Sequence, residues 1–220
     1  MSNNIPKTSS ATVRKKYNRY SRFYDPFETL SERTFRVYRQ RIFPHLRGKI
    51  LEIGVGTGKN LPYYRPQTTP VAVELSDGML EKAQKRAGDL KKEVFFVQAD
   101  VERLPFKSNQ FDVVVATFVF CSVAHPVRGL KELGRVVKNT GQILLLEHVV
   151  SETPVMRAIM QKMNFIPATL LGFAIDRETA NNIRKAGLII EDEQNLMSDV
   201  LKFFRIQSPD SDSFSNERQN

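Results

Sequence analysis

The chain has little cysteine and no long apolar stretch, and both absences narrow the classes of protein it can be. One cysteine, Cys121, cannot form an internal disulfide and cannot alone supply a Cys-x-x-Cys zinc or redox site. No apolar run reaches the roughly 18 residues that a membrane-spanning helix needs. The first ten residues lack the apolar core of a secretory signal. We therefore expect a cytoplasmic protein without a membrane span.

Positive charge is concentrated at one end of the 220 residues. The net charge is +9, residues 1–50 hold 12 Lys/Arg and 3 Asp/Glu, and residues 51–220 hold 21 of each sign. A basic block of this kind typically meets an anionic partner, such as lipid headgroups, nucleic acid or an acidic protein. The alternative is a solvated basic face that keeps the protein soluble.

The two ends of the chain are polar, and a helix is predicted beside the first of them. Residues 1–12 and 208–220 carry almost no apolar pattern and are predicted to be disordered. Residues 13–24 are predicted to be helical. The apolar and aromatic residues of this segment share one face, and they are Val13, Tyr17, Tyr20 and Tyr24. Its basic residues share another face, and they are Lys15, Arg19 and Arg22.

A second helix is predicted after Asp25-Pro26, from about Thr29 to Phe43, because apolar residues again recur at helical spacing. Pro44 is expected to end it. Residues 13–47 would then form a basic helical segment ahead of the main domain.

Beyond residue 48, short apolar segments alternate with segments of helical length. Five of them predict strands, at residues 49–54, 71–76, 94–99, 111–120 and 142–149. Helices are predicted at residues 77–90 and 127–137, and residues 139–141 are predicted to be a loop. The run at residues 111–120 is almost continuously apolar, as in strands that are buried on both faces of a parallel sheet.

The last part of the domain is predicted to finish the sheet. Residues 154–187 are mostly helical in pattern, and residues 188–194 and 201–207 predict an antiparallel strand pair. Alternating strands and helices give a doubly wound α/β sheet. The predicted fold is therefore a Rossmann-like, mostly parallel sheet over residues 48–207, with an antiparallel C-terminal pair.

A glycine-rich turn between the first strand and the following segment is the strongest local signal. Gly54, Gly56 and Gly58 let the backbone turn tightly and approach a ligand closely. The spacing is GxGxG, which differs from the GxGxxG dinucleotide fingerprint, and no Gly-Lys-Ser/Thr follows as in a P-loop. The alternative is a tight turn without a ligand.

Side chains at the next two strand ends support a ligand site. Glu74 ends the second strand and can accept hydrogen bonds from both hydroxyls of a ribose. Asp100, at the end of the third strand, can accept from an adenine amino group beside the Val101 N–H. Met79 can pack on the adenine face. The alternatives are helix N-caps for Glu74 and Asp100 and a core position for Met79.

Four sequence blocks, in order, resemble the motif series of class I S-adenosylmethionine (SAM) methyltransferases. They are LEIGVGTG, VAVELSDGML, QADVERLPFKSNQFDVV and LGRVVKNTGQILLLEH. The resemblance covers about residues 13–190. One departure is Asn139-Thr140-Gly141, where many members have Pro-Gly-Gly.

The resemblance implies SAM as cofactor and a set of residues that bind it. These residues are Gly54, Gly56, Gly58, Glu74, Leu75, Met79, Asp100, Val101 and Thr117. The glycines would line the methionine part and Glu74 would hold the ribose. Met79, Asp100 and Val101 would frame the adenine.

Further segments resemble families with lipidic or apolar methyl acceptors. Residues 20–25 resemble the entry helix of ubiquinone/menaquinone C-methyltransferases and of bacterial phospholipid N-methyltransferases. Residues 117–123 and 146–149 resemble thiol methyltransferases. The favoured acceptor is a phospholipid headgroup amine, as in phosphatidylethanolamine N-methylation, and the alternatives are a quinone ring carbon or a small thiol. A more remote alternative is a SAM- or nucleic-acid-binding protein without transferase activity.

Two residues are candidates for the chemistry of methyl transfer. His148, at the end of the fifth strand, is the best-placed titratable group, because an amine or thiol must lose a proton before it attacks. Tyr20 can hydrogen-bond the acceptor or the cofactor. The alternatives are a structural histidine and a core aromatic. Cys121 is predicted to be a small buried residue, and no metal site is expected.

The expected partners follow from these assignments. Residues 13–47 are predicted to form a basic lid that contacts anionic membrane reversibly, which would place the protein at the inner face of a membrane. Base-modifying methyltransferases often carry an Asn/Asp-Pro-Pro-Tyr/Phe segment, which residues 117–123 lack, so no nucleic-acid partner is expected. The chain is predicted to be a monomer.

Overall fold

Four helices and seven strands make up the part of the chain that the computed structural model describes. That part comprises residues 9–149, 153, 178–197 and 199–207, with the backbone alone for residues 20–34. The helices are α1 Ser10–Ile42, α2 Asp77–Asp89, α3 Pro126–Val136 and α4 Thr179–Lys185, with 3-10 turns at Phe43–His45 and Leu61–Tyr63. The strands are β1 Ile50–Ile53, β2 Val71–Glu74, β3 Phe95–Gln98, β4 Phe111–Thr117, β5 Val137–His148, β6 Ile189–Met197 and β7 Leu201–Gln207. The predictions for residues 1–8, 154–177 and 208–220 lie outside the described residues.

The seven strands form one sheet in the order β3-β2-β1-β4-β5-β7-β6. Neighbours among β1 to β5 pair in parallel, and β7 runs antiparallel to β5 and to β6. The predicted Rossmann-like sheet with an antiparallel C-terminal pair is therefore confirmed. The strand order reverses between β1 and β4, and such a switch point opens a crevice beyond the carboxyl ends of the strands.

The core lies on both faces of the sheet. Successive side chains of a strand point to opposite faces, and in β1 and β4 the side chains on both faces are buried. On one face Leu51 and Val114 pack with Leu130 and Leu133 of α3. On the other face Ile50, Val113 and Val115 pack with Ala83 and Ala87 of α2, in the second buried cluster. Fully burying one Leu or Ile stabilises the fold by about 1.5–3 kcal/mol, so these two layers fix the strand ends on which the site is built.

The N-terminal region is one helix, where the sequence predicted two helices separated at Asp25-Pro26. It also begins at Ser10, within the segment 1–12 that was predicted to be disordered, because Ser9 caps it by accepting from the Thr12 N–H at 3.3 Å. Apolar spacing does not detect a polar first turn. Pro26 removes one helical hydrogen bond, and α1 continues because contacts with the domain hold it on both sides of that proline.

Two strand boundaries also differ from prediction. β4 ends at Thr117 rather than at residue 120, because Phe118 has a left-handed φ of 59° that breaks the ladder. β5 begins at Val137 and includes residues 139–141, which were predicted to be a loop. The pairing of β5 with β4 shifts register in this stretch, so the extra residues are accommodated as an irregularity within the strand.

Candidate functional site

A cleft of about 800 Å³, partly open to solvent, lies beyond the carboxyl ends of β1 to β4. The lining residues come from these strand ends, from the first turn of α2 and from the start of α1. Eight of the nine predicted cofactor residues line it, and they are Gly54, Gly56, Glu74, Leu75, Met79, Asp100, Val101 and Thr117. The topology thus brings together side chains that are far apart in the chain.

The glycines of the turn after β1 have different surroundings. Gly56 has a φ of 56°, and a Cβ there would meet only the Gly54 carbonyl oxygen, at 4.0 Å, so this position faces the cleft. Gly54 has a φ of 63°, and its Cβ would lie 2.5 Å from a methyl of Val119. Gly58 does not line the cleft, since a Cβ there would meet Leu61 and the α2 backbone at Ala83.

Glu74 fixes the shape of the glycine turn while facing the cleft. One carboxylate oxygen accepts from the Gly56 N–H at 2.9 Å, and the other accepts from the N–H groups of Leu75 and Ser76, each at 2.9 Å. Burial raises the pKa of this carboxyl, and the three N–H donors oppose the rise. A carboxylate held in this way can still accept a hydrogen bond from a ligand hydroxyl.

The neighbouring strand ends complete what we call the β2–β3 side of the cleft, formed by Glu74, Met79 and Asp100. Met79 is buried, and its N–H donates to Ser76 Oγ at 3.3 Å, which caps α2. Asp100 Oδ1 accepts from the Glu102 N–H at 2.9 Å, so the turn after β3 is held from within. These side chains offer an apolar face beside carboxylate acceptors.

A buried polar network lies under the glycine turn, and sequence reasoning missed it. Asn60 donates to Glu52 at 2.7 Å and to Thr117 Oγ1 at 2.9 Å, and accepts from Arg39 Nε at 2.7 Å. Tyr64 OH donates to the second Glu52 oxygen at 3.0 Å. Burial raises the pKa of Glu52 to about 7. An acidic residue inside an apolar strand, as in LEI, is the signal that could have revealed this network.

The start of α1 covers the cleft. Ser10, Val13, Arg14 and Tyr17 line it. Arg14 forms an ion pair with Asp77 at 2.8 Å, which holds the pKa of that carboxyl below its usual range.

Asn18 ties the next turn of α1 to the cap of α2. Its side chain accepts from Ser76 Oγ at 2.5 Å and donates to Asp77 at 3.1 Å. The predicted contact residue Tyr20 has its side chain outside the described residues. Tyr17, on the same predicted helix face, lines the cleft.

What we call the β4–β5 side of the cleft is the aromatic cluster of Phe35, Phe118 and His148, of which Phe118 lines the cleft. The Phe118 ring lines the cleft and stacks on the His148 imidazole, with centroids 4.6 Å apart. Phe35 of α1 packs on both, at centroid distances of 4.5 Å from Phe118 and 5.6 Å from His148. His148 therefore contacts the ring of Phe118, which lines the cleft, and is not itself one of the lining residues.

Glu147, next to His148, is fully buried and was not predicted. One carboxylate oxygen accepts from the N–H groups of Val119 and Phe120, at 2.9 and 3.1 Å. The other oxygen has no hydrogen-bond partner among the described residues. Burial raises the pKa of this carboxyl to about 8. As with Glu52, the signal is one acid within an apolar strand, here QILLLEHV.

One further prediction concerns a residue that does not line the cleft. Cys121 is buried, as expected of a small core residue. In the described part of the chain, no group of three or more His, Cys, Asp or Glu could hold a metal ion. The same part contains no helix that is both long and apolar enough to cross a bilayer.

Comparison with known proteins agrees with this geometry. A sequence family described as a methyltransferase domain matches residues 51–145. The phosphatidylethanolamine N-methyltransferase of Cereibacter sphaeroides is 29% identical over 177 residues, which are 77% of this chain and 85% of the relative. The demethylmenaquinone methyltransferase of Clavibacter sepedonicus is 34% identical, over 64% of this chain and 60% of the relative.

A eukaryotic relative and a solved structure extend the comparison. The thiol S-methyltransferase TMT1B of Rattus norvegicus is 32% identical, over 62% of this chain and 58% of the relative. A SAM-dependent methyltransferase from Thermotoga maritima, described as a possible histamine N-methyltransferase, has a TM-score of 0.68 at 22% identity, over 90% of this chain and 100% of that one. The matched domain and the named relatives agree, the fold is consistent with them, and together they indicate a class I SAM-dependent methyltransferase.

Proposed function

We propose that this enzyme methylates the headgroup amine of a phospholipid of the phosphatidylethanolamine type, with SAM as methyl donor. The observation that carries the proposal is the aromatic β4–β5 side of the cleft, next to the predicted nucleoside site. The relative whose length is spanned to 85% is named for this reaction. The proposal is argued below from the two sides of the cleft.

The β2–β3 side fits the cofactor. The open Cβ position of Gly56 leaves room for a ligand against the backbone, and the Glu74 carboxylate at the strand end faces the same space. We propose that Glu74 accepts from the ribose hydroxyls and that Met79, Asp100 and Val101 frame the adenine. When bound, SAM supplies an electrophilic methyl group on a positively charged sulfur.

The β4–β5 side fits an alkylammonium group. Aromatic faces attract such cations by about 0.5–2 kcal/mol, depending on how far the site excludes water. The Phe118 ring is half-buried and lines the cleft, and Phe35 brings α1 against it. With the nucleoside on the β2–β3 side, an amine held on Phe118 lies on the side of the cleft that remains for the acceptor.

His148 is the proposed proton acceptor. Only a neutral amine has the lone pair that attacks, so the ammonium form must first release a proton. The half-buried imidazole contacts the Phe118 ring directly but does not itself line the cleft, so a bridging water would carry the proton from the amine to it. Correct positioning of the reactants supplies roughly 7–11 kcal/mol of a barrier, so the loss of His148 should slow the reaction without abolishing it.

A quinone ring is the second candidate acceptor, because a flat ring would also stack on Phe118 and a quinone enzyme is among the relatives. The decisive assay incubates the full chain with radiolabelled SAM and separately offers phosphatidylethanolamine vesicles, demethylmenaquinone and small alkyl thiols. We expect label in the phospholipid. Label confined to the quinone or to a thiol would overturn the proposal.

A matched pair of variants tests the aromatic wall itself. Phe35→Leu removes a ring of the β4–β5 side, and Phe95→Leu removes a ring that is 66% exposed on the far edge strand β3. We expect Phe35→Leu to raise the KM for phospholipid several-fold while SAM affinity is unchanged. Phe95→Leu should leave both parameters as in the wild type, and equal effects of the two variants would contradict the assignment.

A further inference from the structure

We infer that Glu147 is a positioning residue whose buried carboxylate fills a backbone anion site at the end of β4 and holds the β4–β5 side of the cleft in its reactive shape. No sequence motif assigns this residue a role. The inference rests on the proposed function only in taking Phe118 as an acceptor contact, and the contacts of Glu147 stand independently of the acceptor.

The anion site is built by successive backbone N–H groups. Phe118 has a φ of 59°, a left-handed conformation that is uncommon for a bulky residue, and its own N–H donates to the Leu146 carbonyl at 2.8 Å. The next two N–H groups, of Val119 and Phe120, then converge on one oxygen of Glu147. Consecutive N–H groups turned to one point by a left-handed residue form a concavity that binds an acceptor or anion, and here an oxygen of the Glu147 carboxyl group occupies it.

Burial argues that the carboxylate is there for these donors. Glu147 has no exposed surface, and Leu144, Leu145 and Leu146, which precede it in β5, are buried apolar residues. A buried carboxylate is costly unless hydrogen bonds compensate it, and an apolar residue would fit the strand without that cost. The compensation that Glu147 receives comes from the turn after β4, so removing the acceptor leaves two buried N–H groups without a partner.

The turn held by Glu147 connects the two sides of the cleft. Val119 lies against the glycine turn, since one of its methyl groups is 2.5 Å from the position that a Gly54 Cβ would take. Phe118 packs against both Phe35 and His148, which also contact each other. If the turn after β4 lost its hydrogen bonds to Glu147, both the contact of Val119 with the glycine turn and the aromatic β4–β5 side would be disturbed.

Three variants separate positioning from bulk packing. Glu147→Gln keeps a carbonyl oxygen that can accept from both N–H groups. Glu147→Met keeps similar length without an acceptor. Glu147→Asp keeps a carboxyl group but is one methylene too short to reach the turn. We expect the Gln variant to behave as wild type. We expect the Met and Asp variants to lose the hydrogen bonds from the Val119 and Phe120 N–H groups.

The first readout is hydrogen exchange of the full chain without an acceptor. In the Met and Asp variants, the Val119 and Phe120 amides should exchange at least about tenfold faster, while the amides of α3 keep their wild-type rates. Calorimetry should show SAM affinity about tenfold weaker in both variants and unchanged in Gln. If the Met variant does not fold, the contrast between Asp and Gln decides.

Equal exchange rates for Glu, Gln, Asp and Met at residue 147 would overturn the inference, and so would an Asp variant with wild-type SAM affinity. Because these readouts need no acceptor, a failed phospholipid assay would remove the proposed function and leave the positioning role intact. Once an acceptor is in hand, the Met variant should raise its KM and lower kcat, and the Gln variant should restore both.

Discussion

The two sides of the cleft each contain a carboxylate that binds backbone N–H groups, and they use it differently. Glu74, on the β2–β3 side, engages both oxygens with three N–H donors and still faces the cleft. Glu147, behind the β4–β5 side, engages one oxygen with N–H groups of the turn after β4, among them those of Val119 and Phe120, and has no exposed surface. Both carboxyl groups are buried, and the difference is that Glu74 lines the cleft while Glu147 does not, so we propose ligand contact for the first and backbone positioning for the second.

The largest effect is expected where a side chain would fill the cleft. Gly56→Val places a branched side chain at a left-handed position that faces the proposed cofactor site, so SAM affinity should fall by at least about a hundredfold. The measurement is thermal protection by SAM. Gly88→Val in α2 is the control, since a Cβ there meets nothing within 4 Å and should cost only helix propensity. Undiminished protection of a folded Gly56→Val protein would place the cofactor elsewhere.

The next effect compares the two carboxylates directly. Glu74→Ala should weaken SAM binding by about 1.5–3 kcal/mol, the usual loss for a hydrogen bond to a charged group. Glu74→Gln should also weaken it, because both Glu74 oxygens accept and an amide NH₂ must then face a backbone donor.

Glu147→Gln should be tolerated, because the Val119 and Phe120 N–H groups donate to one oxygen, which the amide carbonyl can replace, and the second oxygen has no partner among the described residues. Calorimetric SAM titration of the Glu74→Gln and Glu147→Gln proteins tests the contrast. Equal affinities would mean that the two carboxylates play the same role.

The sequence predicted the β2–β3 side far better than the β4–β5 side, and the reason is physical. Gly54, Glu74 and Asp100 lie at strand ends that parallel topology brings together, so spacing alone locates them. Glu147 and Phe118 act through a left-handed backbone turn, and no residue type in FDVVVATFVF requires one. The strand pattern therefore predicted β4 to continue through residues that in fact form the cleft wall.

The α1 segment shows a second limit of sequence patterns. Apolar periodicity predicted the tyrosine face that includes Tyr17. The cap at Ser9 and the ion pair between Arg14 and Asp77 depend on polar contacts that periodicity does not register. Gly58 illustrates the same point, since its close neighbour is the α2 backbone at Ala83, on an element that begins 19 residues later in the chain.

The pH dependence of the free energy of unfolding offers a third test of how the carboxyl groups on the two sides of the cleft differ. Burial raises the pKa of Glu147 to about 8, so between its unfolded value and about pH 8 the folded protein binds more protons than the unfolded chain. The free energy of unfolding should then fall as pH rises through this window, by at most about 1.4 kcal/mol per pH unit. Glu52 and Glu74, whose pKa values are also raised, act in the same direction.

Glu147→Gln should remove one part of this slope. Urea unfolding at pH 5.5 and 8.5 measures it, and the stabilities of wild type and variant should differ more at pH 8.5. The charged residue opposite Glu147 on the adjacent strand β7 is Lys202. Its ammonium group pairs with Glu193 at 2.6 Å, so the shift of the Glu147 pKa is attributed to burial. Identical slopes for the two proteins would show that Glu147 remains ionised throughout the window.

The smallest effect concerns the outer surface of α1 rather than the cleft. We propose that residues 13–47 contact anionic membrane reversibly, because the whole net charge of +9 lies in residues 1–50 and the Lys15 and Arg19 side chains are exposed. Each cation near an anionic surface contributes up to about 1 kcal/mol, and salt screens it beyond about 8 Å. Changing Lys15, Arg19 and Arg22 to Gln should therefore reduce co-sedimentation with anionic vesicles at low salt and leave SAM affinity unchanged.

The charge-matched control changes Lys91, Lys107 and Lys185, which are exposed on other parts of the domain, to Gln. If both triple variants lose binding equally, net charge alone is responsible, and if the wild type binds neutral vesicles as well as anionic ones, the basic face of α1 is not what contacts the membrane.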